Sequence, residues 1–512
     1  MHRINEFIEV VKKEQYYISD TCTENVEIKG LTYNSKVVTP GTLFVCKGAA
    51  FKEEYLKSAA EKGAVVYISQ VEYPDVDLPH IIVNDIRKAM PYLAFLFYDD
   101  PASKLKITGV TGTKGKSTTV YYFKTIIDMY QESIGKPITG ITSTIDTYDG
   151  VDFFESHNTT PESLELYSHL YNAGKTDLEY FTIEVSAQAL KYDRVDLVPF
   201  TVGAFMNISE DHISPVEHPD YEDYFKSKLM LFKQTKKAFI CTNTDDFDRI
   251  REAAKDSEEY YTFGLEPECD LYGYDIVKKG DSIFFKVKCS EHFVKDLHAE
   301  GYKFDKEFEL TMPGLFNVDN ALAAIGMSCA YGIPEEFMYA GLRVARSKGR
   351  MELFKSKDDK VYIIVDYAHN KLSFEKLYES VKGEYKGRKI VTVFGCPGTK
   401  AVVRRRDLGL LAGMNSDKVN LVPEDPGVEP LDKIHKETAE YIEKAGNCPY
   451  EMFETRGDGI RKAVFDTVEP TVILVTGKGG ETRQLIGREY IDCPSDSEFA
   501  QMYIEEYDKA NE

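Results

Sequence analysis

The decapeptide Gly109-Val110-Thr111-Gly112-Thr113-Lys114-Gly115-Lys116-Ser117-Thr118 lies between an apolar run, Leu105–Val110, and a helical pattern that begins near Ser117. Glycines on such a strand–loop–helix junction let backbone N–H groups approach phosphate oxygens, and the helix N-terminus that follows favours negative charge. Lys116 supplies a cation for the β- and γ-phosphates, and Ser117 a hydroxyl for Mg²⁺. The usual pattern has glycine five residues before Gly115, where this chain has Val110, so the loop is a variant. Gly112, Thr113, Lys114, Gly115, Lys116, Ser117 and Thr118 are the expected phosphate-binding residues.

Working outward, the strand-like runs Tyr180–Val185 and Thr201–Asn207 extend a mostly parallel sheet covered by helices. The acidic stretch around Asp245–Glu268 and the strand-like Ser282–Lys288 read as insertions or an edge region, and a helix over Val318–Tyr331 closes this part near Ala345. Before it, short strands at Thr42–Cys46, Ala64–Ser69 and His80–Val83 alternate with a helix over Glu54–Lys62. After it, strands at Val361–Asp366, Lys389–Phe394, Lys418–Val422 and Thr471–Thr476 alternate with helices in the manner of a Rossmann-like domain. The fold class is therefore α/β with three domains: residues 1–103, a central phosphate-loop ATPase-like parallel-sheet domain at 104–345, and a C-terminal domain at 346–512.

Composition sets limits. The chain of 512 residues is too long for one core, and its formal charge of −22 argues against non-specific nucleic-acid binding, which needs a basic face. The first residues, MHRINEFIEVVKKEQ, lack the apolar core of a signal peptide, and no stretch is long and apolar enough to span a membrane. Nine scattered cysteines without a C-x-x-C pair suggest neither zinc nor a disulfide framework. A cytoplasmic enzyme with reduced thiols is expected.

The loop resembles that of the Mur ligases, which have asparagine where this chain has Lys114. Further blocks occur in the family's order: Tyr33-Asn34-Ser35-Lys36, Asn158-Thr159-Thr160-Pro161, Glu184-Val185-Ser186, Asn207–His212, Tyr224–Phe232, Gly314–Ala321, Gly349–Glu352, Asp366–His369 and Gly477–Glu481. The resemblance implies an ATP-dependent amide ligase that activates a carboxylate as an acyl phosphate and passes it to an amine. It makes Ser117, Glu184 and His212 Mg²⁺ ligands, Lys116, Lys228 and His212 catalytic, and Lys228 a carbamylated lysine whose new anion holds the metal. Asn317, Asn320, Arg350, Asp366 and His369 join the ATP-binding set. Ser35, Asn158, Thr159, Thr160, Ser186 and Arg194 are assigned to a UDP-sugar peptide, although turn and cap roles compete for the hydroxyl residues. The implied substrates are UDP-N-acetylmuramoyl-L-Ala-D-Glu and a free amino acid, in peptidoglycan precursor synthesis. Oligomeric state stays open.

Departures from the family cluster near the substrate. Ser-Ser-His becomes Ser186-Ala187-Gln188, and Gly-Lys-Gly-His-Glu becomes Gly477-Lys478-Gly479-Gly480-Glu481. The Asp-Asn-Pro-Arg block of diaminopimelate-adding members reads Glu424-Asp425-Pro426-Gly427, and a second family arginine is Lys400. Lysine does not replace the bidentate grip of arginine on a carboxylate. The amino-acid group Lys400, Glu424, Asp425, Pro426, Gly427, Gly477 and Glu481 thus reads as acidic, suited to L-lysine or another diamino acid. Two other readings stand beside this one: a related ligase with a different acceptor, such as a folylpolyglutamate-synthase-like enzyme or one for a specialised peptide, and a non-catalytic nucleotide-binding paralogue.

Overall fold

The computed structural model describes residues 2–48, 51–210, 217–297, 301–399 and 401–511. His212 and Lys400, both expected site residues, lie outside this set. The chain forms two compact units, one built mainly from residues 1–273 and the other mainly from 339–512 with the segments 274–287 and 304–318.

In the first unit, five short strands form a sheet in the order Tyr17–Asp20, His80–Val83, Ala64–Ser69, Thr42–Val45, Gly30–Thr32. Beside it runs the larger sheet, ordered Phe153–Glu155, Asp146–Tyr148, Gly140–Thr142, Tyr180–Glu184, Lys106–Thr111, Phe200–Phe205, Thr235–Cys241, Glu259–Gly264. From Gly140–Thr142 through Glu259–Gly264 its strands are parallel, and those from Gly140–Thr142 to Phe200–Phe205 are almost wholly buried, as helices on both faces require. One apolar core joins the two sheets' helices: Phe7, Leu93 and Val66 share it with Tyr167, Leu170 and Phe181.

The stretch Asp245–Glu268 corrects the sequence reading. It is neither insertion nor edge: helix Phe247–Ala254 is followed by strand Glu259–Gly264, which pairs in parallel with Thr235–Cys241 on one side and, at Phe263 and Gly264, with Leu271 and Tyr272 of the next strand, Leu271–Lys279, on the other. Its acidic residues sit on solvent faces, whereas Ile250, Tyr261 and Phe263 are buried. Charge density hid a strand of ordinary βαβ character.

In the second unit, six strands run in the order Glu352–Lys355, Val361–Asp366, Thr471–Thr476, Lys389–Phe394, Lys418–Leu421, Tyr450–Met452, all parallel except the first. Two cores lie on opposite faces, one around Ile364, Phe394 and Leu474 and one around Ile363, Val475 and Ile504. This is the doubly wound arrangement that places ligands outside the carboxyl ends of the strands. A hairpin of Arg483–Ile486 and Glu489–Asp492, with the helix Asp496–Asn511, follows the strand Thr471–Thr476.

Candidate functional site

The glycine loop leaves strand Lys106–Thr111 and enters helix Lys116–Ser133. Gly115 adopts φ +82°, and a Cβ there would come within 2.3 Å of Asn320 Oδ1. The turn therefore needs glycine both for its backbone and for the asparagine pressed against it. Thr119 Oγ1 donates to the same Asn320 oxygen at 3.3 Å. Asn207, which the sequence reading quoted in a motif but gave no role, clamps the loop. Its Oδ1 accepts from Lys114 N at 2.8 Å, its Nδ2 donates to Lys114 O at 3.1 Å, and its carbonyl accepts from Thr113 N at 2.9 Å.

Two lysines meet at the loop. Lys116 Nζ donates to Gly112 O at 3.0 Å, and Lys228 Nζ donates to the same oxygen at 2.8 Å. Lys228 is 1% exposed, on helix Tyr221–Leu229, with its ammonium 4.7 Å from the centre of the Tyr224 ring. It is therefore no solvated surface charge. Tyr224 Oη in turn lies 3.1 Å from Thr113 Oγ1. Thr118 is buried in the first turn of the loop's helix.

Glu184 ends strand Tyr180–Glu184, buried beside the loop, and both its carboxylate oxygens accept from Ser117 Oγ at 3.1 Å. Thr144 N donates to Glu184 Oε2 at 3.0 Å. A buried carboxylate and a hydroxyl at a phosphate loop form a hard oxygen pair that suits Mg²⁺, which takes few protein ligands and completes its shell with phosphate and water. Among the described residues, no three His, Cys, Asp or Glu side chains gather as a metal site.

The residues assigned to the sugar peptide divide. Thr160 Oγ1 donates to Glu184 O at 2.8 Å and accepts from Ser186 N at 3.0 Å, and Ser186 caps the helix Ala187–Lys191. These hydroxyls are held by backbone, as their competing cap and turn roles anticipate. Thr159 Oγ1 accepts from Thr144 at 3.1 Å, and Asn158 is exposed. Arg194 pairs with Glu162 at 2.8 Å, and Lys47 reaches the other Glu162 oxygen at 2.7 Å. Lys47 also lies 4.3 Å from the Tyr33 ring, whose hydroxyl donates to Glu165. Glu162 and Lys47 were not anticipated; the signal for Glu162 was its place directly after the Thr-Thr-Pro block. Ser35 lies in a turn two residues beyond Tyr33, its carbonyl accepting from Lys62 Nζ at 2.6 Å.

In the second unit, Asp366 ends its strand with Oδ1 accepting from Ala368 N at 2.8 Å and Oδ2 from Met351 N at 2.9 Å. The Arg350 guanidinium stacks 4.2 Å over the Tyr367 ring, and His369 Nδ1 lies 2.7 Å from Tyr367 O. Gly349 has φ +68° and is pressed on Gly480 N, where a Cβ would stand at 2.2 Å. Tyr367 Oη donates to Glu481 Oε1 at 2.7 Å. Through Gly349, Tyr367 and the Asp366 carbonyl, which accepts from Gly477 N at 3.3 Å, the segment carrying these nucleotide-type residues packs against the Gly477–Glu481 turn. Asn317 opens helix Asn317–Ala330, and its Nδ2 donates to Pro313 O at 2.6 Å, tying the helix start to the preceding loop.

The amino-acid group contains a cation that the sequence reading left out. Lys478, nearly fully buried, binds Asp425 Oδ1 at 3.0 Å and Glu481 Oε2 at 2.5 Å. Glu424 is buried, and among the described residues its Oε2 has no hydrogen-bond partner. Burial pushes its carboxyl up to about 7, with Arg404 and Arg456 pulling the other way. Gly427, at φ +57°, follows Pro426 and exchanges backbone contacts with the hairpin, through Leu485 O and Gly487 N. Gly477, between strand and turn, lies against Glu424.

A parallel sheet, a Gly-Lys-Ser-Thr loop and a buried strand-end carboxylate define a phosphate-loop nucleotide-binding enzyme. The chain belongs to the Mur ligase family, a family of ATP-dependent amide ligases: residues 110–328 match the Mur ligase middle domain and 349–479 the Mur ligase glutamate ligase domain. It is 35% identical over 501 residues to the UDP-N-acetylmuramoyl-L-alanyl-D-glutamate--L-lysine ligase of Streptococcus pneumoniae serotype 2, covering 97% of each chain. The ligase of the same name from Enterococcus faecalis is 35% identical over 485 residues, covering 94% of this chain and 92% of that one. A UDP-N-acetylmuramoyl-L-alanyl-D-glutamate--2,6-diaminopimelate ligase shares the fold with a TM-score of 0.63 at 20% identity, over 99% of each chain. A MurF ligase from Thermotoga maritima in complex with ADP has a TM-score of 0.61 at 17% identity, over 94% of this chain and 98% of that one. Among the described residues, no helix is long and apolar enough to cross a membrane.

Proposed function

We propose that this enzyme joins L-lysine to the D-glutamyl carboxylate of UDP-N-acetylmuramoyl-L-Ala-D-Glu, using ATP and Mg²⁺ in the cytoplasm. The observation that carries the reading is the loop constellation: Lys116 and Lys228 on one carbonyl oxygen, beside the Ser117–Glu184 pair. The relatives of 35% identity that bear the L-lysine ligase name supply the substrate pair.

The chemistry asks two anions to meet, the substrate carboxylate and the γ-phosphate. The Gly112–Thr118 loop offers backbone N–H groups and the start of a helix to the phosphates, and Lys116 offsets their charge. Ser117 and Glu184 would hold Mg²⁺, with His212 by resemblance, and the ion supplies further charge neutralisation. Lys228 would join that set once carbamylated; the carbamate converts an ammonium beside Lys116 into an anion. The carboxylate oxygen attacks the γ-phosphorus and ADP leaves. The amine nitrogen then attacks the acyl carbon, loses a proton, and the acyl C–O bond to phosphate breaks. Asn320, Arg350, Asp366 and His369 are proposed to contact the nucleotide. Ser35, Asn158, Arg194 and the hydroxyls of Thr159, Thr160 and Ser186 are proposed for the sugar peptide, and Glu424, Asp425, Gly477 and Glu481 for the amino acid.

The test is phosphate release with mass detection of product, using UDP-N-acetylmuramoyl dipeptide, ATP and a panel of amino acids. Lysine-dependent product supports the reading. Turnover only with a folate, or only with another UDP-peptide, would replace it.

A further inference from the structure

Lys478 stands in the turn after strand Thr471–Thr476, between Gly477 and Gly479, both with positive φ. Its ammonium is inside the protein, bound by Asp425 and Glu481. Each of those carboxylates has a second donor: Leu485 N gives to Asp425 Oδ1 at 3.0 Å, and Tyr367 Oη to Glu481 Oε1 at 2.7 Å. Gln484 Nε2 fixes the adjoining loop through the carbonyls of Pro423 and Glu424, at 3.1 and 2.6 Å. Lys478 and Glu481 line a cavity of about 210 Å³ together with Thr455, Asp458, Gln484 and Tyr503. Burial works against the Lys478 charge, but Glu481 and Asp425 outweigh it and hold its pKa above the ordinary value.

We propose that Lys478 is a specificity-determining residue, a fixed internal cation that occupies two of the three carboxylates meant for the incoming amino acid. The inference rests on the lysine-ligase reading above. With Lys478 in place, Asp425 and Glu481 are already partly neutralised, and among the described residues the carboxylate oxygen left short of a donor is Glu424 Oε2. A side chain ending in an ammonium competes with Lys478 for the carboxylates. One ending in both an ammonium and a carboxylate, as in meso-diaminopimelate, finds in Lys478 a cation where Gly427 offers none. Lys478 therefore narrows the difference between the two amino acids.

The experiment measures KM for lysine and Ki for meso-diaminopimelate against lysine ligation, in wild type, Lys478→Met and Lys478→Arg. The ratio Ki/KM should rise about tenfold or more in Lys478→Met, because like-charge juxtaposition returns for the distal carboxylate, and stay within about threefold of wild type in Lys478→Arg. An unchanged or smaller ratio in Lys478→Met overturns the proposal. If Lys478→Met folds but does not turn over, thermal shifts by the two amino acids decide: a shift by lysine without one by meso-diaminopimelate supports it, and equal loss of both shows a purely structural tie. A wild-type enzyme that ligates neither amino acid removes the parent reading instead.

Discussion

Lys116 and Lys228 illustrate what a sequence shows of single residues and what it hides. The role proposed for Lys116 follows from its motif, because Gly-Lys-Ser at a strand–helix junction leaves few alternatives. The burial of Lys228 did not, since a lysine among YFKSKLMLF has the same periodicity as a solvated one. Lys116→Ala should lower ligation at least about a hundredfold, as the developing charge on the transferred phosphoryl group loses its cation; near-normal phosphate release would remove the assignment. Lys228→Ala should be nearly inactive and partly restored by a short carboxylic acid such as formate, which replaces the carbamate's charge. Turnover of the alanine variant at the wild-type rate would show that Lys228 serves packing alone. Glu424 gives a prediction in pH. Its folded-state pKa, about 7, lies above its ordinary value of 4.5, so the folded protein binds the proton more tightly than the unfolded chain. Stability therefore falls as pH rises through that interval, by at most roughly 3 kcal/mol, and Glu424→Gln removes this loss. The Tm advantage of Glu424→Gln over wild type should grow from about pH 5 to about pH 8; parallel Tm curves would contradict it.

At the scale of elements, the strands of the parallel sheets were legible wherever a continuous apolar run ended in turn residues. Ala64–Ser69, His80–Val83, Val361–Asp366, Lys389–Phe394 and Thr471–Thr476 have the boundaries expected of them. The short strands Gly140–Thr142, Asp146–Tyr148 and Phe153–Glu155 carry too few residues to show a period, and Glu259–Gly264 was masked by surrounding charge. The loop itself was legible, but its support was not, because Asn207 and Asn320 reach it from distant parts of the chain. That support makes Gly115 intolerant of change. In Gly115→Ala, the new methyl group meets Asn320 Oδ1 while the backbone stays at φ +82°, so the loop must deform at a cost of about 1–3 kcal/mol. ATP affinity should fall about tenfold or more by isothermal titration while the far-ultraviolet circular dichroism stays unchanged. Wild-type affinity would mean that the loop rearranges on binding and does not depend on the asparagine.

For the whole molecule, composition and motif order imply three domains, the layout of the Mur ligase fold, and the first two pack largely as one compact unit because the first hundred residues do not keep their core to themselves. Ile4, Phe7 and Val11 of the first helix share one apolar cluster with Leu93 and Ala94, and with Ile107, Leu166, Tyr167, Leu170 and Phe181 of the nucleotide-binding sheet and its helix. A sequence shows that each of these residues faces inward but not which partner covers it, so shared burial across a motif boundary is invisible to periodicity. The consequence is cooperative: surface that is buried jointly is exposed jointly. Phe7→Ala leaves a cavity in that cluster and should cost about 3–5 kcal/mol, and the loss should lower the unfolding midpoint of the phosphate-loop region along with that of the N-terminal sheet. Native-state hydrogen exchange reads this directly. Amides of strand Ala64–Ser69 and of strand Tyr180–Glu184 should open with the same free energy in wild type and fall together in the variant, while strand Thr471–Thr476 of the second unit keeps its own value. Independent exchange of Ala64–Ser69, with Tyr180–Glu184 unaffected by Phe7→Ala, would show that the N-terminal region folds as a domain of its own and that the common core contributes contact without cooperativity.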